Sequence, residues 1–453
     1  MNIMMRLGGF VKDILKLLRY RVLRLSIYKG KIRSCYQYLK TPALPTNPNL
    51  CDVADSISKD HKPVRKKHLL VDLSELVKND IGTGIQRVAR SIFQELLKNP
   101  PEGYEVLPVY LKSPTDEFMY GYKYLAKILK IKPLFKDSMV NALSGDIFLG
   151  LDLNHSASYK VNFFETMRAR GCLVYFVVYD VLPLTLSVDY FNSRIREAHH
   201  RWVNLLSNQN GVLCISRTVA DEFSKTLTVY TPERKSSLKI GWFHLGADIS
   251  AFPSKGMPKN AEAILSKLQL RQTFLMVGTI EPRKGHLDVL SAFNTLWRQG
   301  VDVNLAIVGD LGWNVDLVVK LINLHQENGK RLFWLKGPSD EYLEKIYLAS
   351  DCLIAASIGE GFGLPIIEAA KHGISIIARD IPVFREVAGK SALYFSNNVE
   401  NDLAECIQDW LAHEKHQSVA PIAWLTWVQS TQQLVDVIMN DDWYSEWIPD
   451  KEA

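Results

Sequence analysis

Hydrophobic residues recur every three or four positions between Met4 and Leu25, at the start of the chain. One face of the corresponding helix would carry Met4, Leu7, Val11, Ile14, Leu18, Val22 and Leu25. Basic side chains such as Lys12 and Arg19 fall elsewhere around it, so this period predicts a basic amphipathic helix. Such a helix lies in a membrane interface against anionic lipid, or packs on the protein's own surface. We expect residues 1–40 to associate with a membrane, with the packed helix as the open alternative.

The period is lost after this segment. Residues 41–67 place four prolines among polar side chains, at Pro42, Pro45, Pro48 and Pro63. Proline-rich polar stretches are typical of connections between folded units. We therefore interpret residues 41–67 as a linker.

From residue 68 onward, short apolar runs rich in β-branched residues alternate with helical patterns. Helical patterns cover residues 85–98 and 188–206, and candidate strands cover residues 68–73, 105–110, 146–151, 173–179, 212–216 and 238–243. This alternation is typical of a parallel sheet with crossover helices. It predicts a first Rossmann-like domain over residues 68–255.

The pattern weakens into a connector with proline and lysine over residues 251–267 and then restarts. The second set of candidate strands covers residues 273–277, 303–308, 332–335, 352–355, 374–378 and 393–395. The fold class is therefore α/β, with two doubly wound domains facing a cleft, the second over residues 256–420. We expect residues 421–453 to form a helical segment that crosses back to the first domain. A ligand is expected between the carboxyl ends of the two sheets.

Composition agrees with two domains, because 453 residues are too many for one hydrophobic core. The formal net charge is +5, and residues 1–40 hold ten Lys or Arg against a single Asp. The remainder is near neutral, so nucleic acid is not an expected partner.

Six cysteines stand far apart without zinc-like spacing, which favours reduced thiols in the cytosol; they are Cys35, Cys51, Cys172, Cys214, Cys352 and Cys406. No apolar run reaches the length of about 18 residues that a membrane span needs. The N-terminus lacks the apolar core and cleavage site of a secretion signal. We expect a cytoplasmic protein held at the inner face of the membrane through its first segment.

A glycine-rich segment follows one of the second domain's strands, with the sequence Ser357-Ile-Gly-Glu-Gly-Phe-Gly-Leu-Pro-Ile-Ile-Glu368. Its glycines leave backbone N–H groups accessible, and Pro365 suits the first turn of a helix, so this helix start is built to receive an anion. Glu360 stands in the loop beside the expected anion. Glu368 lies about one turn inside the helix, within reach of a ribose hydroxyl.

Further motifs stand at the ends of other strands. In the second domain they are Gly278-Thr-Ile-Glu-Pro-Arg-Lys-Gly-His286, Ile307-Val-Gly-Asp310 and Lys336-Gly-Pro-Ser-Asp-Glu-Tyr-Leu343. In the first domain they are Val71-Asp-Leu-Ser-Glu-Leu76, Gly82-Thr-Gly-Ile-Gln-Arg87 and Leu245-Gly-Ala-Asp248. Glycines between a strand and a helix let a ligand approach the backbone closely.

Together these motifs resemble the family-4 retaining glycosyltransferases over most of residues 68–440, and the first-domain motifs resemble an O-antigen and capsule subgroup. The glycine-rich segment looks like that family's Glu-x₇-Glu motif. The resemblance implies a fold of the GT-B type and transfer of a hexose to a saccharide or lipid-linked acceptor, with mannose from GDP-mannose as the candidate donor. Asp248 matches the position before the family's interdomain crossing. An ordinary turn residue is an equally good interpretation of Asp248.

By this resemblance, Arg283 and Lys284 grip the donor diphosphate, Glu360 holds the donor sugar and Glu368 holds the ribose. The implied catalytic residues are Asp180, Arg283, Lys284 and Glu360. The implied donor-binding residues are Gly82, Thr83, Gly84, Gly278, Gly309, Gly361, Phe362, Gly363, Leu364 and Glu368.

One position departs from the subgroup, which often has His-Asp-x-x-Pro at the end of its strand. Here the run is Tyr179-Asp-Val-Leu-Pro183, so Tyr179 replaces a histidine that would face the reacting sugar. Asp180 is retained at the edge of the cleft. His155 is the residue that could supply an imidazole in place of the missing histidine.

No Asp-x-Asp pair of the kind that chelates a divalent metal occurs in the sequence. We therefore expect no metal and no cofactor besides the nucleotide-sugar substrate, with basic side chains and helix dipoles holding the phosphates. Two alternatives remain: a nucleotide-sugar 2-epimerase of the same architecture, which needs no acceptor, and a noncatalytic binding subunit. The phosphate grip and both glutamates argue against the noncatalytic subunit.

Overall fold

The structure, a computed structural model, describes residues 66–80, 82–230, 234, 236–248, 256–396, 402–413 and 422–449. The predicted membrane-associating helix and all but the last two residues of the predicted linker lie outside these ranges. Two α/β domains fill the described part of the chain, each built on its own sheet.

The first domain holds an eight-stranded sheet in the order β14-β7-β6-β5-β4-β1-β2-β3. Its strands are β1 Lys67–Asp72, β2 Tyr104–Tyr110, β3 Met119–Tyr120, β4 Ile147–Gly150, β5 Leu173–Val178, β6 Gly211–Cys214, β7 Leu238–Trp242 and β14 Ser445–Trp447. The central strands are parallel, while β3 and β14 pair antiparallel at the two edges.

Helices cover both faces of this sheet. They are α1 Ser74–Lys78, α2 Gly84–Lys98, α3 Tyr122–Ile128, α4 Val161–Ala169, α5 Leu182–Thr185, α6 Ser193–Ser207 and α7 Arg217–Tyr230, with a 3-10 turn at His155–Tyr159. Each face has its own hydrophobic core, one around Phe148 and Trp202 and the other around Val71 and Phe93. Because a parallel sheet is buried on both faces, its strands are continuous apolar runs, which is the pattern that the sequence displays.

The second domain holds a six-stranded parallel sheet in the order β10-β9-β8-β11-β12-β13. Its strands are β8 Thr273–Val277, β9 Asn304–Val308, β10 Leu332–Leu335, β11 Cys352–Ala355, β12 Ser375–Arg379 and β13 Leu393–Phe395. Its helices are α8 Ala261–Leu268, α9 His286–Arg298, α10 Asp316–Leu324, α11 Asp340–Leu348, α12 Leu364–Lys371, α13 Pro382–Ala388 and α14 Asp402–His413, with a 3-10 turn at Pro282–Lys284.

The end of the described chain returns to the first domain. Helix α15, Trp427–Met439, packs against α2, and β14 extends the first sheet. Asp248 anchors the helix start, because its carboxylate accepts from the Trp427 backbone N–H at 2.9 Å and its carbonyl accepts from the indole at 3.0 Å. Asp248 thus has a structural contact in this fold.

The predicted strands match the observed ones to within two residues at each end. Two short edge strands, β3 and β14, were not predicted. The expectation of a connector over residues 251–267 was wrong in its second half, where α8 begins at Ala261. The helix predicted over residues 188–206 begins instead at Ser193, because the Asn192 side chain accepts from the Ile195 N–H and caps it there. Within the described residues, Cys172, Cys214, Cys352 and Cys406 form no disulfide with one another.

Candidate active site

The second sheet reverses its strand order between β8 and β11, and a cavity lies at their carboxyl ends. Its lining includes Gly278, Lys284, His286, Ser357 and Glu360. Helices α9 and α12 both begin at this cavity, each directly after a glycine in the left-handed region, Gly285 at φ 77° and Gly363 at φ 97°. Helix N-termini at a topological switch point favour an anionic ligand.

A cluster of charges borders the cavity. Arg283 contacts the Glu360 carboxylate at 3.2 Å and Glu281 at 3.0 Å, and Lys284 also pairs with Glu360. The Ser357 hydroxyl donates to Glu360 at 2.7 Å, and Arg283 donates to the Gly359 carbonyl at 3.0 Å. Arg283, Lys284 and Glu360, which sequence reasoning assigned to catalysis, are therefore brought together.

These pairings set the protonation of the cluster. Burial alone would raise the pKa of Glu360, but Lys284 and Arg283 outweigh it and lower the pKa to about 2. Burial disfavours the charge on Arg283, yet Glu360 and Glu281 raise its pKa above the ordinary value. At neutral pH the charged Glu360 carboxylate is therefore paired with both Arg283 and Lys284, and Arg283 also contacts Glu281. The two basic side chains are placed where they could receive a diphosphate.

The glycine-rich loop contacts the first domain directly. A Cβ on Gly361 would lie 1.9 Å from the Tyr179 carbonyl oxygen, and the Ser216 hydroxyl donates to the Gly361 carbonyl at 2.7 Å. A Cβ on Gly359 would lie 2.8 Å from the Leu182 side chain. The sequence predicted that these glycines expose backbone N–H groups to an anion. The structure adds a second reason at Gly359 and Gly361, namely close packing between the domains.

The loop's two apolar residues lie in the same interface. Phe362 is buried with its ring 5.3 Å from the His244 ring. Leu364 packs on the core of the first domain, and its Cδ1 would lie 3.9 Å from a Cβ on Gly84. Both were predicted to bind the donor, and here both contact the first domain.

Glu368 is buried and has partners on both of its oxygens. Arg87 of the first domain donates to Oε1 at 2.8 Å, and the Tyr347 hydroxyl donates to Oε2 at 2.7 Å. Arg87 was part of a motif seen in the sequence but was given no role there. No local signal pairs it with a residue 281 positions away.

The loop over residues 82–84 starts α2. Gly82 has φ 75°, and the Thr83 hydroxyl accepts from the Gln86 N–H at 3.3 Å, closing a capping box with the Gln86 side chain. This cap fixes the start of the helix that carries Arg87. The loop therefore positions Arg87 toward the second domain.

Two further glycines bring adjacent loops of the second domain together. Gly278 has φ 147° and Gly309 has φ 152°, and a Cβ on Gly309 would lie 2.0 Å from the Gly278 carbonyl oxygen. Glycine at 309 therefore allows the loops after β8 and β9 to touch beside Lys284. Asp310 lies close by, 3.1 Å from where a Cβ on Gly337 would stand.

Tyr179 does not stand in for the family histidine in this structure. Its side chain is buried in the core of the first domain, and its hydroxyl donates to the Leu151 carbonyl at 2.7 Å. Asp180 lies near the charge cluster, where burial raises its pKa and Arg283 opposes that shift. Its carboxylate accepts from the Leu182 N–H at 3.1 Å.

His155 connects to Asp180 through His199. His199 Nε2 lies 3.2 Å from the Asp180 carbonyl, and His199 Nδ1 lies 3.1 Å from His155 Nε2. A carbonyl only accepts, so His199 carries its proton on Nε2 and His155 donates from its own Nε2. Burial lowers the pKa of both rings to about 4, so both are neutral at pH 7.

Other contacts hold the two domains together. Glu386 of the second domain accepts from the Arg217 and Thr218 N–H groups at 2.8 and 2.7 Å, at the start of α7, and from His244 Nε2 at 2.7 Å. The Trp313 indole donates to the Tyr190 carbonyl at 3.1 Å. The described domains are therefore closed on one another. Sequence reasoning missed these contacts because each joins residues from distant parts of the chain.

Among the described residues, no group of three or more His, Cys, Asp or Glu side chains is arranged to hold a metal ion. Within the same residues, no helix has both the length and the apolar character to cross a membrane.

Sequence comparison finds that this chain is similar to glycosyltransferases. The family model for glycosyl transferases group 1 matches residues 260–420. The chain is 41% identical over 385 residues to the serotype-specific mannosyltransferase WbdA of Escherichia coli, covering 82% of this chain and 45% of that protein. It is 24% identical over 334 residues to the O-antigen chain mannosyltransferase RfbU of Salmonella typhimurium, covering 66% of this chain and 88% of that protein. The chain thus spans about half the length of the WbdA proteins that it matches.

Solved structures show the same fold. HepE of Anabaena, in complex with UDP and glucose, aligns with a TM-score of 0.55 at 17% identity, covering 83% of this chain and 99% of that one. Sucrose-phosphate synthase from Thermosynechococcus elongatus aligns with a TM-score of 0.57 at 16% identity, covering 83% and 100%. The expected architecture of two facing Rossmann-like domains, the GT-B fold, is confirmed.

Proposed function

Residues 260–420 of this chain belong to the glycosyl transferases group 1 family, and on that premise we propose that the chain transfers mannose from GDP-mannose to a saccharide or lipid-linked acceptor in surface polysaccharide synthesis. The mannosyltransferase relatives support the choice of sugar. The observation that carries the proposal is the cluster of Arg283, Lys284 and Glu360 at the switch point of the second sheet.

The chemistry of transfer needs such a cluster. As the bond to the sugar breaks, positive charge develops on the sugar and negative charge on the leaving diphosphate. Arg283 and Lys284 would stabilise the diphosphate together with the N-termini of α9 and α12. These cations already face a carboxylate, so the arriving diphosphate would compete with Glu360 for them. Glu360, released in part from that pairing, would then accept hydrogen bonds from the donor sugar hydroxyls.

We propose that transfer retains the anomeric configuration, with the acceptor hydroxyl attacking from the face that the diphosphate leaves. Closure of the domains, seen where Gly361 approaches Tyr179 and Trp313 donates to the Tyr190 carbonyl across the cleft, would keep water away from the reacting sugar. We further propose that no metal is required and that the first 40 residues hold the protein at the cytoplasmic face of the membrane. The motif resemblance, the basic cluster and the basic amphipathic pattern of the sequence support these three proposals.

The relatives named above are transferases, so the epimerase alternative has no support. One assay separates the candidates. The protein is incubated with GDP-, UDP- and dTDP-sugars, with and without a lipid-linked acceptor, and products are separated by chromatography. We expect a mannosylated acceptor with GDP-mannose only. An epimerised nucleotide sugar formed without acceptor, or no product with any donor, would overturn the proposal.

A further inference from the structure

Arg87 and Glu368 form an ion pair across the cleft, about one turn inside two helices that begin side by side. Helix α2 begins at Gly84 and α12 at Leu364, and the Leu364 Cδ1 would lie 3.9 Å from a Cβ on Gly84. The guanidinium therefore comes from the first domain and the carboxylate from the second. Because the pair joins two domains, it forms only when the cleft is closed.

Glu368 is covered on every side in this arrangement. Its side chain is 4% exposed, Arg87 donates to one oxygen at 2.8 Å, and the Tyr347 hydroxyl donates to the other at 2.7 Å. A carboxylate can accept about four hydrogen bonds, but at this exposure protein atoms surround the remaining positions. A ribose hydroxyl can therefore reach Glu368 only if one of these two side chains moves away.

Arg87 is the partner that can leave. Tyr347 is fully buried in the core of the second domain, and its ring stacks on His372 with the centroids 5.2 Å apart. It belongs to the same domain as Glu368, so a movement of the domains does not separate them. Arg87 belongs to the other domain, and its side chain is 16% exposed. Opening of the cleft thus takes Arg87 away from Glu368 and leaves Tyr347 in place.

A second carboxylate acts on Arg87 from nearby. It is Asp340, the first residue of α11, which belongs to the second domain. Burial disfavours the charge on Arg87, but Glu368 and then Asp340 raise its pKa above the ordinary value. A buried charge without a partner would be costly. A guanidinium displaced from Glu368 keeps an acid within its surroundings.

We propose that Arg87 occupies the ribose position on Glu368 and that the donor nucleotide displaces it, after which the guanidinium pairs with Asp340. This inference rests on the proposed function and on the role that the Glu-x₇-Glu motif gives Glu368. Arg87 would lower donor affinity, since the nucleotide binds only the fraction of molecules in which Glu368 is released. It would also link donor entry to movement of the domains, because the cleft has to open before the ribose can reach Glu368.

The first test measures what the ribose hydroxyls contribute to binding. Whichever of GDP and UDP more raises the wild-type Tm is titrated by calorimetry into the full-length protein, together with its 2′,3′-dideoxy analogue. Arg87→Leu should bind the ribonucleotide roughly 3- to 30-fold more tightly than wild type, because no guanidinium competes for Glu368. The dideoxy analogue has no hydroxyl to offer Glu368, so its affinity should gain less.

Two further variants accompany this test. Arg87→Gln removes the charge with a smaller change of shape and should shift the affinities in the same direction, so the test does not depend on the folding of one variant. Arg90→Ala is the matched control, because Arg90 lies on the same helix and pairs with Asp80 within the first domain. It should bind both nucleotides as wild type does. Weaker ribonucleotide binding by Arg87→Leu, or equal changes for the two nucleotides, would overturn the proposal.

The second test concerns the exchange to Asp340. Asp340→Asn removes the acid that receives Arg87, so it should weaken ribonucleotide binding several-fold in the wild-type background. It should have no such effect in the Arg87→Leu background, where no guanidinium is displaced. An equal loss in both backgrounds would show that Asp340 contacts the nucleotide itself and would overturn the exchange.

The two proposals fail in different ways. Wild-type protein that binds a nucleotide but transfers no mannose would reject the proposed function, while the titrations still test Arg87. Mannose transfer by the wild-type protein, with ribonucleotide affinity unchanged in Arg87→Leu, would reject the role of Arg87 alone.

Discussion

Gly361 and Tyr179 meet across the cleft so closely that a single added methyl group at Gly361 would lie 1.9 Å from the Tyr179 carbonyl oxygen. The contact joins the glycine-rich loop of the second domain to the end of β5 in the first. Because the opposing atom is backbone, a side chain at position 361 can be accommodated only if the domains move apart. Closure of the cleft therefore depends on this glycine.

The first prediction follows from that contact. The Gly361→Ala protein should fold, but its two domains should close poorly on one another. Its kcat/KM for transfer should therefore fall by about tenfold or more, and its radius of gyration from X-ray scattering should rise. Gly121→Ala is the matched control, since its nearest contact would be 3.4 Å and lies within the first domain. Wild-type kcat/KM in Gly361→Ala would show that this approach is not needed for activity.

The second prediction concerns the pH dependence of stability. Burial raises the pKa of Asp72 from 3.8 to about 7, against opposing hydrogen bonds from Ser74, and Asp152 adds to the rise. The folded protein therefore binds this proton more tightly than the unfolded chain. The stabilisation that Asp72 gives is complete below about pH 4 and is lost as the pH rises toward 7.

Asp72→Asn keeps the group neutral at every pH. Its Tm should exceed that of the wild-type protein at pH 8, and the difference should shrink as the pH falls to 5. The variant at the exposed Asp116, Asp116→Asn, should follow the wild-type curve. A Tm difference for Asp72→Asn that grows toward pH 5 would contradict the assignment.

Sequence patterns predicted the two sheets because a parallel strand buried on both faces leaves a continuous apolar run. They did not predict β3 and β14, since strands of two or three residues have no period to detect. Arg283 and Glu360 could be assigned to one site from the sequence through the family resemblance of their motifs, each of which follows a strand of the second sheet. Arg87 could not be paired with Glu368, because that contact depends on how the domains close. The burial of the Tyr179 ring could likewise not be predicted from the sequence, because its position at a strand end does not determine which way the side chain points.

The third prediction concerns metals. The diphosphate is assigned to basic side chains and helix N-termini, so mannose transfer should retain its full rate in excess EDTA. The measurement is initial rate against chelator concentration, with added magnesium and manganese in parallel. A loss of turnover on chelation that either ion restores would contradict the assigned phosphate site.

The fourth prediction concerns the first 40 residues, which lie outside the described structure. Deleting residues 1–40 should release the protein from anionic liposomes, since ten basic residues and an apolar stripe are removed. Transfer to a soluble acceptor should be nearly unchanged. Equal liposome binding by the truncated and full-length proteins in a sedimentation assay would refute the membrane role.

We propose that Arg283 and Glu360 act on charges that develop during transfer, whereas Glu368 holds a part of the donor that does not change. Steady-state kinetics with GDP-mannose tests it most directly. Arg283→Ala should lower kcat on the order of 100- to 1000-fold, and Glu360→Ala should lower kcat more than donor affinity. Glu368→Ala should chiefly raise KM, although the substitution also removes the carboxylate to which Arg87 donates. Arg385→Ala, at an exposed arginine bonded to Asp380, should behave as wild type. Abolished turnover at saturating donor in Glu368→Ala, with near wild-type kcat in Arg283→Ala and Glu360→Ala, would contradict the account.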